Sequence, residues 1–189
     1  MSTTCPRVTI SKSVFCNEGA GGFGSYLYLM NYDSIYTTGT TTGFSLNTAG
    51  TMITGISGLT ESGYTSGFAY KYQLKQGKSS YKIENVGAAN GNLSMKQTLN
   101  IVLMGTNVDE LKLFYELCAG KVIAIVQDRN DRLLLFGKKF GLEADTSSVD
   151  SGVAIEDMAG LTINLVGYET YPAYIIDQNL VNISSIVVA

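Results

Sequence analysis

Five carboxylate side chains lie close together in the C-terminal half of this 189-residue chain. They are Glu143, Asp145, Asp150, Glu156 and Asp157, within fifteen residues that are otherwise rich in Gly, Ser and Ala. Two carboxylates held at a fixed separation can hydrolyse glycosides, and several together can bind Ca²⁺. The acids here lack the regular spacing and Gly hinge of a calcium loop, and the chain has no Trp or His to shape a sugar site. The cluster therefore favours a charged surface over a catalytic or metal site.

Other catalytic and metal-binding constellations are also missing from the sequence. The absence of histidine excludes Ser–His and Cys–His nucleophilic pairs. The three cysteines, Cys5, Cys16 and Cys118, form no CxxC pair, and their odd number fits neither a disulfide framework nor a zinc site. We therefore predict that the chain is not an enzyme and that it binds no metal and no cofactor.

Two glycine-containing motifs resemble nucleotide-binding signatures. Gly19, Gly21 and Gly24 satisfy G-x-G-x-x-G, but a strand pattern follows them where the fingerprint requires a helix. The stretch GKSS at 77–80 resembles the end of a P-loop, but Tyr72 occupies the position of the first P-loop glycine. Neither motif predicts a nucleotide site.

Charge is divided unevenly along the chain. Residues 1–139 contain all 13 cations and nine acids, whereas residues 140–189 contain seven acids and no cation. Lys138 and Lys139 mark the boundary between the two parts. Charged residues make up 15% of the chain, below the roughly 25% that is typical of soluble domains. This division fits copies that associate head to tail better than nucleic-acid binding, with loops that are simply acidic as the alternative, and the low charge favours an obligate assembly.

Four lysines lie among tyrosines in residues 70–82, an arrangement that could bind nucleic acid. They are Lys71, Lys75, Lys78 and Lys82, and without any Arg they would hold phosphates weakly. The alternatives are that they form the cationic half of an interface between copies, or that they simply solvate one face of a sheet.

Alternating apolar and polar residues predict a protein made mainly of β-strands. We predict β-hairpins in residues 68–86, turning at Gly77 and Lys78, and in residues 121–139, turning at Asp128–Asp131. Further strand patterns occur in residues 26–32, 95–104, 161–169 and 174–189.

A short α-helix is predicted at about residues 108–118. Asn107 is a suitable N-cap with Glu110 three residues later, and Gly120 stands where a helix-ending glycine belongs. Its apolar stripe is expected to comprise Leu111, Phe114, Leu117 and Cys118. The predicted fold is a single domain over residues 1–189, a two-sheet β-sandwich or open barrel with this one short helix at its flank.

Residues 33–67 are rich in Thr, Gly and Ser, with scattered Ile, Leu and Phe. Long loops without structure are uncommon in compact domains, so this segment is either disordered in the free chain or a β-prone arm that is covered in an assembly, and we predict the arm. Together with the acidic loop at 138–160, it is expected to form the contacts between subunits. The predicted interface residues are Tyr36, Phe44, Leu46, Met52, Ile53, Ile56, Lys138, Lys139, Glu143, Asp145, Asp150, Glu156 and Asp157.

Three segments resemble the tail tube proteins of long-tailed bacteriophages, including virion proteins of phages that infect Bacteroidetes-type bacteria. They are YLYLMNYDSI, VIAIVQDRNDRLLLFGKKFGLE and SGVAIEDMAGLTINLVGYE. The order of elements, with an aromatic strand, a long Thr/Gly segment, hairpins, one helix and a late strand, is similar as well. Two departures from the family pattern occur: Leu133 and Leu134 replace an aromatic pair, and the residues 156–160 replace a GDRNG-like turn.

The resemblance implies a structural virion protein without catalytic activity. Its copies would form rings, typically hexameric, that stack into a tube through which DNA passes without sequence-specific binding. Other tail proteins would be further partners. The inner strands would close a continuous β-barrel, and the lumen of such tubes is commonly acidic.

Two alternatives remain beside this prediction. The first is another structural virion protein, such as a head-decoration or tail-hub component. The second is a β-sandwich module that binds carbohydrate through its many tyrosines. The N-terminal MSTTCPRVTI has no apolar region of the kind found in signal peptides. We therefore expect the chain to stay inside the cell that makes it, without a membrane anchor, and the resemblance implies assembly in the host bacterial cytoplasm and a final location in the virion tail.

Overall fold

A computed structural model of the protein describes residues 23–33, 43–56, 69–75, 77–87, 93–152, 159–179 and 181–187. They form two β-sheets that pack against each other, together with a twelve-residue α-helix and a short 3-10 helix over Ile183–Ile186. The prediction of a mainly-β, two-sheet fold with a short flanking helix is confirmed.

The larger sheet contains seven strands. They are β1 (Phe23–Asn31), β2 (Phe44–Leu46), β3 (Met52–Ile56), β4 (Ala69–Gln73), β7 (Val122–Asp128), β8 (Leu133–Phe136) and β11 (Tyr174–Ile176). Their order across the sheet is β2-β3-β11-β8-β7-β1-β4. β3 and β11 are parallel, and the other neighbours are antiparallel.

The smaller sheet contains four antiparallel strands. They are β5 (Ser80–Asn85), β6 (Met95–Met104), β9 (Glu143–Asp150) and β10 (Gly160–Glu169). Their order is β5-β6-β10-β9, with β6 and β10 paired along their whole length. Among the residues that the structure describes, no further strand pairs with β5 or β9, which thus form the two edges of this sheet.

The main core lies between the two sheets. Leu99, Ile101 and Leu103 alternate along β6 as predicted, and Leu161, Ile163 and Leu165 do so along β10; all six are buried. They pack against apolar side chains of β1, β7 and β8. One face of the smaller sheet packs against the core and the other does not. Apolar and polar residues therefore alternate along its strands.

A second core covers the other face of the seven-stranded sheet. Ile123 and Ile125 of β7 and Leu135 of β8 are fully buried there, against Val181 and Ile186 from the C-terminal segment. Both faces of β7 and β8 are therefore covered. This explains why these strands are apolar almost throughout, with no alternation.

The helix α1 (Val108–Ala119) begins as the sequence predicts. The Asn107 side chain accepts from the Glu110 N–H, and the Glu110 carboxylate accepts from the Asn107 N–H, which completes a capping box. Leu113, Phe114 and Leu117 pack onto the main core. The predicted stripe is partly wrong, because Leu111 is 46% exposed and Cys118 is exposed as well.

The hairpin at Asp128–Asp131 is confirmed, since β7 and β8 are antiparallel neighbours. The buried Asp128 carboxylate accepts from the N–H groups of Asn130 and Arg132 and binds the Arg132 guanidinium at 2.7 Å, which fixes the turn. The predicted hairpin at Gly77 and Lys78 is wrong. β4 belongs to the larger sheet and β5 to the smaller one, so this turn passes between sheets.

The segments that the sequence assigned to a β-prone arm and to an acidic loop both contain strands. Within residues 33–67, β2 and β3 form an antiparallel pair that joins the larger sheet through β11. Within residues 138–160, the acidic residues 143–150 form the edge strand β9. A polar, exposed strand is possible at that position because an edge strand buries little of its surface.

Candidate self-association surface

The outer face of the four-stranded sheet carries seven amide and hydroxyl side chains beside five charged ones, which are Lys82, Glu84, Lys96, Glu143 and Asp150. Because the apolar residues of β6 and β10 point inward, the residues between them point to the opposite face. The strand pairings show which alternate residues of β5 and β9 point to the same outer face. The outward amide and hydroxyl side chains belong to Ser80, Thr98, Asn100, Thr146, Ser148, Thr162 and Asn164.

A row of hydrogen-bonded side chains crosses this face. The Asn100 Nδ2 donates to the Asn164 Oδ1 at 2.7 Å, and the Asn164 Nδ2 donates to the Thr146 Oγ1 at 2.7 Å. Ser80 lies directly opposite Asn100 on the neighbouring strand. These four residues, here called the polar row, stand at one level of all four strands, from one edge of the sheet to the other.

The open edge at β9 is negatively charged. Glu143, Asp145 and Asp150 are exposed there, and Asp145 is the extra residue of a β-bulge opposite Asn164 and Leu165. The Lys121 Nζ lies 2.6 Å from the Glu143 Oε1, and this hydrogen bond raises the pKa of Lys121. Glu143 thus has a cation partner on its own chain, on the exposed surface.

The open edge at β5 carries cations. Lys82 lies on the strand and Lys78 in the turn before it, and both are exposed. The Lys82 Nζ is 2.7 Å from the Glu84 Oε1, and the hydrogen bond from Lys82 lowers the pKa of Glu84. The edges of the smaller sheet therefore differ in sign, with an excess of acids at β9 and of lysines at β5.

Two buried polar side chains hold the turn that contains Lys138 and Lys139. The Glu169 Oε1 accepts from the backbone N–H of Lys139 at 2.7 Å and of Phe140 at 2.9 Å. The Gln97 Oε1 accepts from the Gly137 N–H at 2.9 Å. The sequence prediction missed both residues, although each stands at an inward position of its strand, where a polar residue indicates a specific partner.

The two lysines of this turn face different surroundings. The Lys138 Nζ lies 5.3 Å from the centre of the Tyr174 ring, and partial burial lowers the pKa of Lys138. Lys139 is exposed, and its Nζ lies 4.9 Å from the centre of the Phe140 ring. The predicted interface lysines thus lie on a rigid turn that the smaller sheet supports.

Replacing Glu169 by Ala should destabilise this turn. Two backbone N–H groups would lose their acceptor, and we expect the free energy of unfolding to fall by about 2 kcal/mol. Urea unfolding followed by circular dichroism measures the change. Glu169→Gln is the matched control, since it keeps one acceptor oxygen and should lose clearly less. Equal stability of Glu169→Ala and the parent protein would contradict this role.

The predicted interface residues of the 33–67 segment divide into two groups. Phe44 and Ile53 are buried in the second core of their own chain, so they are not available for contacts between copies. Leu46 is 38% exposed, and Met52 and Ile56 are partly exposed. The predicted positions Tyr36, Glu156 and Asp157 lie outside the described residues.

A recess of about 520 Å³ lies beside the β9 edge. Phe140 and Tyr168, both about half exposed, border it together with Lys96, Asp145 and Thr170. The combination of exposed aromatic rings and polar groups is of a kind that sugar-binding sites use.

Within the described ranges, no group of three or more His, Cys, Asp or Glu side chains could hold a metal ion. No helix in that part of the chain is both long and apolar enough to cross a membrane. Comparison with models of protein families, with curated protein sequences and with solved structures found no match to this chain.

Proposed function

We propose that this chain is the subunit of a bacteriophage tail tube, a structural virion protein whose copies form stacked rings around a channel for DNA. The observation that carries the proposal is the four-stranded sheet, whose two edges have opposite charge excesses and whose outer face carries amide and hydroxyl side chains across all four strands. The resemblance of three sequence segments to tail tube proteins supports the proposal independently.

The strand directions of this sheet suit closure into a ring. β5 and β10 run one way, and β6 and β9 run the other way, because each neighbouring pair is antiparallel. Copies related by rotation have the same strand directions, so β9 of one copy meets β5 of the next in antiparallel orientation. A ring of copies thus gives a continuous antiparallel barrel without edges, which removes the aggregation risk of open strands.

The outer face of the smaller sheet would line the channel in such a ring. Amides and hydroxyls form hydrogen bonds with water and carry no net charge, so they add no electrostatic attraction to the phosphate groups of DNA. Lys82 and Lys96, the cations on this face, both lie next to Glu84, which offsets their charge. DNA would therefore pass such a wall without strong or sequence-specific binding.

Other contacts in the proposed particle involve the same chain and further tail proteins. The partly exposed Leu46 and Met52, at the β2–β3 hairpin, are candidates for contacts between stacked rings. We propose assembly in the host cytoplasm, hexameric rings and no enzymatic activity.

One observation favours a second function, the binding of carbohydrate. The recess beside Phe140 and Tyr168 combines exposed aromatic rings with the carboxylate of Asp145. A glycan could stack on these rings without any assembly of the chain. Another kind of structural virion protein could also associate through these two edges, but its copies would not form a tube.

Negative-stain electron microscopy of the purified protein distinguishes these functions. We expect rings or long tubes of one uniform diameter. A monodisperse monomer that binds glycans would contradict the tube and support the second function. Closed shells or isolated small oligomers would favour another virion component.

Salt should weaken the tubes if the acids of β9 meet lysines of a neighbouring copy. Raising the salt concentration from about 0.1 M to about 1 M shortens the screening length from roughly 10 Å to 3 Å. We expect the fraction of protein in sedimenting tubes to fall over this range. Tubes that do not respond to salt would indicate that the acids face the channel and not a neighbour.

A further inference from the structure

A cavity of about 520 Å³ lies on the side of the sandwich that faces away from the four-stranded sheet. Strands β1, β7 and β8 of the larger sheet form its floor, and the residues 178, 179 and 181–183 form its wall. Three aliphatic side chains line it together with six polar ones, which are Tyr26, Tyr28, Gln127, Gln178, Asn179 and Asn182. Its volume falls within the roughly 300–1,000 Å³ that is usual for small-molecule sites.

Hydrogen bonds hold the wall of the cavity in place. The Asp177 N–H donates to the Ile53 carbonyl at 2.9 Å, and the Val181 N–H donates to the Asp177 carbonyl at 2.9 Å. The Gln178 Nε2 donates to the backbone carbonyl of Asp131. These bonds anchor the wall to β3 and to the β7–β8 turn, so the cavity is formed without a ligand, as binding sites commonly are.

The hydroxyl of Tyr28 faces the cavity. Tyr28 lies on β1 and is 5% exposed. Among the described residues its hydroxyl has no hydrogen-bond partner, and no side-chain oxygen there is both fully buried and without a partner. The hydroxyl is therefore accessible, and the cavity is the space that Tyr28 borders. A polar group in such a position indicates a water or a ligand that completes its hydrogen bonds.

The amide side chains offer both acceptors and donors to a ligand. The Gln127 Nε2 donates to the Asp131 Oδ1 at 3.1 Å, which leaves the Gln127 Oε1 as an acceptor. The Asn182 Oδ1 accepts from the Ser184 N–H at 3.1 Å, which leaves the Asn182 Nδ2 as a donor. The cavity thus matches a ligand whose groups both donate and accept, as alcohol groups do.

The charge of the lining narrows the class of ligand further. No charged side chain lines the described part of the cavity. A phosphate or a carboxylate would lose its hydration there without gaining an ion pair, which is costly. The Tyr26 ring adds a flat apolar surface for C–H groups, and the Lys71 Nζ lies 3.9 Å from its centre, a cation–π contact that restrains the ring.

We propose that this cavity binds a neutral saccharide, an activity beyond the tail tube function and independent of it. All the lining residues belong to one chain, so a single copy contains the site. In a tube whose channel is lined by the smaller sheet, the cavity lies on the outer surface, open to saccharides around the particle. The site is separate from the recess beside Phe140 and Tyr168, whose lining includes the charged Lys96 and Asp145.

Saturation-transfer NMR titrations of the full chain with D-glucose, D-galactose and N-acetyl-D-glucosamine test the proposal. We expect at least one of these neutral sugars to bind, and the charged D-glucuronate to bind at least about tenfold more weakly than the best of them. Tyr28→Phe removes the hydroxyl alone and should weaken binding of that sugar about tenfold. Tyr168→Phe is the matched control, because it removes the same group from the other recess, and it should bind like the parent.

Asn179→Ala is a second variant, at an exposed position whose side chain bonds to no other described residue, and it should also weaken binding. Circular dichroism checks that each variant is folded. Binding that is lost in Tyr168→Phe and unchanged in Tyr28→Phe and Asn179→Ala would place the sugar in the other recess and overturn the proposal. Equal binding of D-glucuronate, or no binding of any of the three neutral sugars, would overturn it as well. None of these outcomes depends on whether the chain forms tubes, which electron micrographs decide separately.

Discussion

Val149→Pro is expected to abolish rings and tubes while the monomer stays folded. The Val149 N–H points to the open edge of β9, so its loss breaks no bond to β10. Proline is tolerated on an edge strand when its missing N–H faces outward. A neighbouring strand, however, would lose a hydrogen bond worth about 0.5–1.5 kcal/mol and would meet the proline ring. Since each ring contains this contact once per copy, the losses add up over the ring.

The experiment compares sedimentation and negative-stain images of the variant with circular dichroism of the same sample. Val149→Ala is the matched control, because it removes side-chain atoms but keeps the N–H, and it should still polymerise. Its stability and that of the proline variant should both lie within about 1 kcal/mol of the parent. Normal tubes from Val149→Pro would exclude β9 as an edge through which copies associate.

Ile53→Ala is expected to lower the free energy of unfolding by about 2–5 kcal/mol. Ile53 is fully buried in the second core and pairs with Ile176 on β11. Removing its side-chain atoms leaves a cavity between strands that cannot easily collapse. The sequence analysis placed Ile53 in an interface between copies. If Ile53 contributed only to such an interface, its truncation would leave the free energy of unfolding of the monomer unchanged.

Leu46→Ala provides the comparison for this variant. Leu46 lies on the adjacent strand β2 and is 38% exposed, so its truncation should cost less than about 1 kcal/mol in the monomer. Urea unfolding of both variants decides between the two roles. If Ile53→Ala and Leu46→Ala both lowered the free energy of unfolding by the same small amount, the β2–β3 pair would not contribute to the stability of the single chain.

Local signals in the sequence predicted part of this fold. The capping box of Asn107 and Glu110 acts over three residues, and the Asp128–Asp131 turn connects adjacent strands, so both could be found from the sequence. Leu99 and Ile163 follow the period of two because one face of their sheet is buried. In each of these elements, the residues that decide the structure are close in the chain.

Long-range pairing explains the wrong predictions. The turn at Gly77 has a hairpin sequence, yet its two strands find partners in different sheets, and nothing local distinguishes these cases. β3 is stabilised by β11, far along the chain, which a Thr- and Gly-rich segment does not reveal. β9 has the composition of a loop, because an edge strand need not bury its side chains.

The structure places Glu143 and Asp150 on an edge strand, where the sequence predicted a loop, and Lys78 and Lys82 at the opposite edge of the same sheet. The polar row was missed, because Asn100, Asn164 and Thr146 meet only once three strands are in register.

The position of β11 in the larger sheet has a consequence for the order of folding. β3 reaches β8 only through β11, which lies between them. The β2–β3 pair is made early on the ribosome, yet it has no place in the sheet until residues 174–176 have been synthesised. Contacts of such large sequence separation fold slowly. The nascent chain therefore completes its larger sheet late, after the smaller sheet with its β9 edge has been synthesised.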